Sequence, residues 1–382
     1  MIMIKVVQVV PSVGTESSGP SYSVPTLCGS LKAAGCEVSL HFVGAMPRRH
    51  FSFPTFAYPA KRFPHPRLGR SPAMLHGLKN ICRQADIIHN NSLWMFPNVY
   101  PAWVKKGTNC KLVTAPRGTM SKWSLRHHWL QKKLFGWHAQ YAAMAATDMW
   151  HATCEKEYGE IRAAGYWQPV AIVPIGMDLP IFNAEAQRRR DAERLRRILF
   201  FGRLHQVKGL DRLLLAWEKV AMDGWKLAIA GPDCGVLEEL KGIVAERKLP
   251  RVSFVGEING PAKYGFLADG DIYVLPSDTE NFGVTVAEAL VSGTPVIASQ
   301  GTPWQGLERE RCGRWVPIGV EPLAGALAEL MAMSDEERAA MGARGRAWIA
   351  RDFSWKGIGV KMKSAYEWLL GKGEKPACVR VE

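Results

Sequence analysis

The chain has 382 residues, too many for one compact hydrophobic core, so we expect two domains. Hydrophobic residues make up 47% and charged residues 22%, which excludes a disordered chain, and no uninterrupted apolar run is long enough to cross a bilayer. The net charge of +14 is uneven, with +11 in residues 1–185 and +3 in the remainder. The basic half predicts an anionic partner, either a membrane surface or a phosphorylated acceptor. Nucleic acid is disfavoured because no recognition-helix, aromatic-sheet or zinc-finger signature accompanies the charge.

Short apolar runs alternate with longer amphipathic segments from the amino terminus onward. The opening residues up to Val10 are apolar and β-branched but short, which predicts a buried first strand and not a signal peptide. Residues 44–72, rich in Pro, Arg and His, are expected to form an irregular loop excursion. The strands predicted in the first half are Ile4–Val10, Glu37–Val43, Ile87–His89, Lys111–Thr114, Met149–His151 and Val170–Val173.

A second series of apolar runs predicts strands at Ile198–Phe201, Leu227–Ala230, Val252–Val255, Ile272–Leu275, Val296–Ala298 and Arg314–Val316. Strands that alternate with helices predict parallel sheets covered on both faces, and two such series predict two doubly wound α/β domains. We place the first domain at residues 1–178 and the second at 179–355, because a turn and a highly charged stretch lie near residues 175–197. Residues 356–382 are expected to form a helix that packs back toward the first domain, and then a disordered tail after Gly371.

Three further features bear on cofactors and location. The eight cysteines are scattered without a C-x-x-C pair, which favours a reduced, cytoplasmic chain over a disulfide or zinc framework. Asp269-Gly270-Asp271 precedes a predicted strand, so a turn is favoured over a metal site, and we expect no metal. The basic and apolar segment Leu125–Ala145 predicts either an ordinary amphipathic helix or one that lies on the inner face of an anionic membrane. Its tryptophans Trp129 and Trp137, like the neighbouring Trp123, are expected to pack.

A glycine and two basic residues follow the predicted strand that ends at Phe201. Gly202 lets the backbone approach a ligand closely, Arg203 can form a forked contact with a phosphate, and Lys208 adds a point charge. One cation about 4 Å from a phosphate oxygen contributes roughly 4 kcal/mol at an effective dielectric constant near 20. Two cations can therefore hold a diphosphate without a metal. An exposed basic turn is the alternative interpretation of this loop.

Two acidic residues, Glu280 and Glu288, flank a glycine further along the chain. Eight helical residues rotate by about 800°, which leaves two side chains roughly 80° apart, so the pair would not share a helix face. We therefore place Glu280 in a loop and Glu288 in the second turn of a helix that begins near Gly283, where free N–H groups favour an anion. Carboxylates placed in this way can accept hydrogen bonds from sugar hydroxyls. Together with the basic loop, the pattern predicts a site for a sugar linked to a nucleotide diphosphate; alone, Glu288 would be read as a solvated helix residue.

In their order along the chain, the motifs resemble those of the family-4 retaining glycosyltransferases, which have the GT-B fold of two Rossmann-like domains separated by a cleft. The resemblance covers nearly the whole chain and rests on residues 18–22, 86–94, 115–118, 151–155, 174–178, 202–209, 230–233 and 280–288. It implies a metal-independent hexosyltransferase that needs no cofactor and uses a nucleotide-diphospho-sugar as co-substrate. It also implies a glycan or lipid-linked acceptor, in bacterial polysaccharide or lipopolysaccharide assembly.

The resemblance assigns roles to individual residues. It implies that Arg203 and Lys208 bind the donor diphosphate, that Glu280 lies near the transferred sugar, and that Glu288 contacts the nucleotide ribose. We take the first three as catalytic. Further donor contacts are expected at Gly19, Gly202, Asn281, Phe282, Gly283 and Val284.

The acceptor side departs from the family pattern. The first loop has Ser18-Gly19 where the family often has two glycines, and Arg117 stands where many members have histidine. Arginine stays charged at any working pH and cannot act as a general base, so Arg117 is expected to bind a phosphate or a sugar hydroxyl. His89, Asn91 and Trp94 are the other acceptor-side candidates. His89 is equally well explained as a hydrogen-bonded histidine at a strand end.

Two other functions fit the same sequence. One is a sugar-nucleotide epimerase or hydrolase with the same two-domain fold, which would form products from the donor alone. The other is a non-catalytic module that binds a sugar nucleotide without turnover. The intact basic and acidic pairs argue against the non-catalytic module.

Overall fold

The structure is a computed structural model that describes residues 3–14, 19–47, 50–62, 65–126, 129–179 and 195–382. Ser18, His127, His128 and most of the predicted charged stretch after Gln187 lie outside the described residues, as does the side chain of Trp123. The chain forms two compact units, one of Met1–Gly176 with Trp355–Glu382 and the other of Met177–Ser354. Among the described helices, none is both long enough and apolar enough to span a membrane.

The first unit contains an eight-stranded sheet in the order β14-β7-β6-β5-β4-β1-β2-β3. All neighbours are parallel except β14, which pairs with β7 in the antiparallel sense. The central strands are buried along almost their whole length, as expected for a parallel sheet covered on both faces. The strand bounds are β1 Lys5–Val9, β2 Glu37–Val43, β3 Thr55–Tyr58, β4 Ile87–Asn91, β5 Lys111–Ala115, β6 Met149–Ala152, β7 Val170–Ile172 and β14 Val379–Arg380.

Helices cover this sheet, and the helix that follows the second unit belongs to the first. That C-terminal helix, Trp355–Leu369, packs against α1. Ser71 caps α2, because its Oγ accepts a hydrogen bond from the Met74 amide at 3.3 Å. The helix bounds are α1 Gly19–Ala33, α2 Pro72–Ile81, α3 Phe96–Lys105, α4 Lys122–Arg126, α5 Trp129–Phe135, α6 Tyr141–Ala145 and α7 Glu155–Ala163, with a 3₁₀ turn at Pro66–Leu68 and a π-helical turn at Gly136–Gln140.

The second unit contains a six-stranded parallel sheet in the order β10-β9-β8-β11-β12-β13. Its strands are β8 Arg196–Phe201, β9 Trp225–Ala230, β10 Val252–Gly256, β11 Ile272–Leu275, β12 Val296–Ser299 and β13 Gly313–Val316. Its helices are α8 Leu210–Val220, α9 Leu237–Glu246, α10 Ala262–Ala268, α11 Val284–Val291, α12 Gly306–Arg309, α13 Val320–Ala332 and α14 Asp335–Asp352, with a 3₁₀ turn at Gln206–Lys208. A capping box begins α14, where the side chains and amides of Ser334 and Glu337 bond reciprocally at 3.2 and 2.7 Å.

All twelve predicted strands are present, with ends within two residues of those predicted. The loop excursion predicted at residues 44–72 was partly wrong, because β3 lies within it; the ring of Phe56 stacks on His41 of β2 at 4.7 Å. The disordered tail was also wrong, because β14 pairs with β7, and Arg162 Nε donates to the Glu382 carbonyl at 3.0 Å. The packing expected for Trp129 and Trp137 was wrong as well, since both side chains are exposed.

Asp269-Gly270-Asp271 forms a turn at the amino end of the second sheet. The Asp271 carboxylate accepts the Arg197 amide at 2.7 Å, and Asp269 forms an ion pair with the Arg197 side chain. These contacts join the starts of β11 and β8. The two carboxylates therefore hold neighbouring strands together, as the turn interpretation predicts.

Each sheet has one position where the strand order reverses. In the first unit β1 lies between β2 and β4, and in the second β8 lies between β9 and β11. Ligands of open α/β sheets bind at such switch points, beyond the carboxyl ends of the strands. Most of the candidate residues lie on or directly after these strands.

Candidate functional site

The loop after β8 begins with a close contact between two backbones. Gly231, after β9, has φ of 144°, and a Cβ atom there would lie 1.8 Å from the Gly202 carbonyl oxygen. Leu204 then extends the sheet contact, because its amide donates to the Pro232 carbonyl at 2.9 Å. Only glycine at position 231 allows this path, which brings the basic loop back over the end of β8.

The basic loop closes with a short helical turn. The His205 side chain accepts the Val207 amide at 3.2 Å and caps the 3₁₀ turn Gln206–Lys208. Gly209 ends the turn with φ of 64°, and a Cβ atom there would lie 2.5 Å from the Pro276 carbonyl oxygen after β11. The turn therefore fixes Lys208 against the neighbouring loop.

Lys208 and Glu280 meet at the switch point between β8 and β11. Lys208 Nζ lies 2.5 Å from Glu280 Oε1, and their side chains are 14% and 15% exposed. Ser277 Oγ donates to the same carboxylate oxygen at 2.8 Å, and the Glu280 amide donates to the Gly301 carbonyl at 2.9 Å. The fold thus brings together two residues that the sequence separates by 72 positions.

Arg203 lies in the same loop but is exposed. Within the described part of the chain, no carboxylate is placed within ion-pair distance of its guanidinium, whereas the nearby Arg212 contacts Asp278 at 2.5 Å. Arg203 is therefore a cation whose charge the described residues leave available to a ligand.

Glu288 lies in the second turn of α11 and is paired with a lysine that the motifs did not indicate. Its side chain is 6% exposed and forms an ion pair with Lys263 of α10. Burial raises the pKa of Glu288, and the Lys263 ammonium opposes that rise. No sequence spacing pointed to Lys263, because it lies on a short helix outside every motif.

The turn before α11 is held by a glycine conformation and by contacts with Trp304. Gly283 has φ of 73°, a left-handed conformation that favours glycine, and α11 begins at the next residue, Val284. The Trp304 indole N–H donates to the Phe282 carbonyl at 2.5 Å, and the two rings lie 5.2 Å apart. Residues 281–284 are thereby held at the helix start, where backbone N–H groups favour an anion.

In the first unit, a buried chain of polar side chains crosses the switch point between β1 and β4. Tyr366 Oη lies 2.6 Å from His89 Nδ1, and Gln8 Nε2 lies 3.2 Å from the same nitrogen. His89 Nε2 lies 3.3 Å from His151 Nδ1, and His151 Nε2 lies 2.8 Å from the Val173 carbonyl. His89 has no exposed surface, so it lies within this hydrogen-bond chain and not on an open acceptor surface.

The direction of these hydrogen bonds follows by elimination. The Val173 carbonyl only accepts, so His151 Nε2 carries its proton and Nδ1 accepts from His89 Nε2. His89 Nδ1 then accepts from Tyr366. Burial, with the nearby Arg117 charge, lowers the pKa of His151 to about 3, and burial lowers that of His89 well below its usual value. Both rings are therefore neutral at physiological pH.

This neutral hydrogen-bond chain ends at the guanidinium of Arg117. Gln8 Oε1 accepts from Asn91 Nδ2 at 2.9 Å, which turns Asn91 Oδ1 toward Arg117, whose Nη2 donates to it at 2.9 Å. Arg117 has φ of 55°, and the buried Glu157 supports its turn by accepting the Gly118 amide at 2.7 Å. The structure thus brings together His89, Asn91 and Arg117.

The remaining candidates of the first unit, Trp94 and Gly19, do not take part in this hydrogen-bond chain. The Trp94 amide donates to Gln140 Oε1 at 2.8 Å, its indole N–H donates to the Thr119 carbonyl at 3.1 Å, and its half-buried ring lies 6.3 Å from the ring of Tyr141 on α6. Gly19 is the first residue of α1, and a Cβ atom there would meet no heavy atom within 4 Å.

Comparison with known proteins indicates the family of this chain. Residues 17–180 match the family profile described as Glycosyltransferase Family 4, and residues 182–348 match that of Glycosyl transferases group 1. The phosphatidyl-myo-inositol mannosyltransferase of Mycobacterium tuberculosis is 29% identical over 239 residues, which are 58% of this chain and 62% of that relative. The chain therefore matches less than two thirds of that relative's length.

Solved structures establish the fold. Sucrose-phosphate synthase from Thermosynechococcus elongatus aligns with a TM-score of 0.74 and 21% identity, over 96% of this chain and 99% of that one. Anabaena HepE in complex with UDP and glucose aligns with a TM-score of 0.74 and 16% identity, over 96% of this chain and 100% of that one. The chain therefore belongs to the family-4 glycosyltransferases and has the GT-B fold.

Proposed function

We propose that this chain is a retaining glycosyltransferase that moves a sugar from a nucleotide-diphospho-sugar to a hydroxyl of a glycan or lipid-linked glycan in surface polysaccharide biosynthesis. The observation that carries the proposal is the Lys208–Glu280 ion pair at the β8/β11 switch point, with the exposed Arg203 in the same loop. Retention at the anomeric carbon is what the family resemblance implies.

Arg203 and Lys208 are proposed to bind the donor diphosphate. Lys208 has three N–H donors, so it can keep its bond to Glu280 and still donate to a phosphate oxygen. Arg203 can add a forked contact, because its guanidinium is exposed. Negative charge builds on the diphosphate as its bond to the sugar breaks, and two fixed cations stabilise that charge most in the transition state.

The acidic residues are proposed to hold the two rings of the donor. Glu280, which Lys208 and Ser277 hold in place, is proposed to accept hydrogen bonds from hydroxyl groups of the transferred sugar. Glu288 is proposed to bind the ribose, and its ion pair with Lys263 favours the ionised carboxylate, which can accept hydrogen bonds from two hydroxyl groups. The backbone at residues 281–284 then contacts the phosphates at the start of α11.

Arg117 is proposed to anchor the acceptor. The Gln8–His89–Asn91 hydrogen-bond chain holds the guanidinium through neutral groups, and the guanidinium is proposed to bind a phosphate or a sugar hydroxyl of the acceptor. The relative from M. tuberculosis, whose name describes transfer to phosphatidyl-myo-inositol, supports an acceptor of this kind.

A thermal-shift panel of nucleotide sugars, followed by product analysis, tests the proposal. The cognate donor should raise the melting temperature more than the matching nucleoside monophosphate does, because only the donor offers a diphosphate to both cations. Transfer should then require an acceptor. Product from the donor alone would identify an epimerase or hydrolase, and binding without turnover over a broad acceptor panel would identify a non-catalytic module.

A further inference from the structure

The part of the first unit from the start of α5 to the end of α6, residues 129–145, carries an exposed apolar face, and we call it the α5–α6 segment. Trp129 is 59% exposed, Leu130 54%, Leu134 56% and Trp137 79%, and we call these four residues the apolar face. Single exposed apolar residues are common on protein surfaces, but a contiguous group on one segment marks an interaction site.

These four side chains are exposed although the segment itself is packed against the rest of the first unit. On the opposite side, the Phe135 ring packs edge-on against Phe96 of α3 at 5.3 Å, and Ala139, Ala143 and Met144 are buried. An ordinary amphipathic helix of a globular protein has one apolar side, which it buries. This segment already buries one apolar side and presents a second one to solvent.

Basic residues accompany the apolar face. Residues 87–147 contain eight Lys or Arg and no Asp or Glu. Lys133 is exposed on the same segment and Arg126 is exposed at the end of α4, whereas Lys132 is turned inward, with its Nζ donating to Ser124 Oγ at 3.2 Å. Tryptophan and leucine beside Lys and Arg is the composition of segments that lie in the interface of anionic bilayers.

We propose that the apolar face inserts into the surface of an anionic membrane, with Trp137 and Leu134 entering the boundary between headgroups and acyl chains. Arg126 and Lys133 then contact headgroup phosphates. A second copy of this chain is a poorer occupant, because pairing two such faces would bring two basic segments together. The inference does not depend on glycosyl transfer.

Vesicle flotation of the full chain tests this proposal. The wild type should float with phosphatidylcholine–phosphatidylglycerol vesicles at low salt and less well with phosphatidylcholine alone, because the contact is partly electrostatic. Leu134→Ser/Trp137→Ser should reduce binding to anionic vesicles by at least about tenfold, because each residue loses its apolar contact with the acyl boundary. Lys133→Gln should weaken binding to the anionic vesicles only.

The matched control is Trp167→Ser, which removes a tryptophan that is 69% exposed elsewhere in the first unit. It should bind like the wild type. Thermal unfolding should change little and donor-induced thermal shifts should be unchanged in all these variants, because the changed side chains are largely exposed; Trp167 loses only a surface contact with Arg162. Failure of the wild type to float, or equal flotation of Leu134→Ser/Trp137→Ser, would overturn the proposal. Concentration-dependent self-association that this double variant abolishes would overturn it in favour of a dimer.

Discussion

The two units place their candidate residues at equivalent switch points but build them in opposite ways. In the second unit the residues are charged, with the largely buried Lys208–Glu280 ion pair beside the exposed Arg203. In the first unit they form a buried, neutral hydrogen-bond chain through His89 that ends on one guanidinium. A cation with spare N–H donors can bind a charged ligand in addition to its partner, whereas a buried neutral hydrogen-bond chain holds one arrangement. Under the proposed function, the second unit would bind the charged donor through its cations, and the first unit would hold Arg117 in one position for the acceptor.

Removing a cation of the second unit should have the largest effect. Lys208→Ala or Arg203→Ala should lower kcat by about 100- to 1,000-fold, because a preorganised contact to the leaving diphosphate is lost. Steady-state kinetics with a saturating donor measure this. Lys219→Ala is the control, since it removes an exposed lysine paired with Glu321 at 3.1 Å on the surface of the same unit. A variant that retains full turnover would remove that residue from the catalytic group.

Breaking the second ion pair should have the next largest effect, on stability as well as binding. Lys263→Met leaves the Glu288 carboxylate buried without its partner, which should cost about 1–3 kcal/mol of unfolding free energy at neutral pH. The pKa of Glu288 should rise further, so donor affinity should improve with increasing pH more steeply than in the wild type. Urea unfolding and donor titration at several pH values measure the two effects. The idea fails if Lys263→Met unfolds like the wild type at every pH.

Two buried histidines of the first unit, His151 in the neutral hydrogen-bond chain and His41 on β2, should make stability sensitive to acid. The pKa of His151 is lowered to about 3 and that of His41 to about 4 by burial, so the unfolded chain binds protons that the folded chain does not. The stability they contribute is present above the usual histidine pKa of about 6.5 and is lost as pH falls toward those lowered values. Each such proton corresponds to about 1.4 kcal/mol per pH unit.

Glu160, whose pKa burial raises to about 7, acts in the opposite direction, so the difference between variants is the sharper test. His151→Asn should show a shallower loss of unfolding free energy between pH 6.5 and 4 than the wild type. Identical slopes for the two proteins would show that His151 is not held neutral.

The smallest effect is expected for Tyr366, and it tests whether this residue positions Asn91 and Arg117 or only stabilises the fold. Tyr366→Phe removes the hydroxyl bonded to His89 and should cost about 0.5–1.5 kcal/mol of stability. It should also raise the KM for the acceptor, because Asn91 and Arg117 lose part of their support. Tyr58→Phe is the matched control, since Tyr58 Oη lies 3.0 Å from His41 Nδ1 in another part of the unit. A similar KM in both variants would assign Tyr366 a structural role only.

The sequence predicted the parts of the fold and site that depend on local patterns. Buried strands such as Ile272–Leu275 are visible in the sequence as short apolar runs. The loops after β8 and β11 carry the glycine, basic and acidic residues from which a phosphate and sugar site was predicted. The Lys208–Glu280 contact itself arises only because the sheet brings the two loops side by side. The Tyr366–His89 bond joins residues 277 positions apart, and no local pattern contains such a distance.

Other features were not predicted, because local sequence patterns either give no signal for them or favour a different outcome. β14 spans only two residues, too few for any periodicity, and its pairing depends on the edge of β7. Lys263 carries no motif and becomes important only because α10 lies beside α11. Trp129 and Trp137 were expected to pack because large aromatic residues usually do, and their exposure is what points to a further partner.

The most direct test of the central claim is calorimetric titration of nucleoside diphosphates and monophosphates into the wild type and Arg203→Ala/Lys208→Ala. If the two cations bind the linked phosphates, the wild type should prefer the cognate diphosphate to its monophosphate. The double variant should then bind that diphosphate at least about 100-fold more weakly while it unfolds at the wild-type temperature. Equal affinity of the two proteins for the diphosphate would contradict the account.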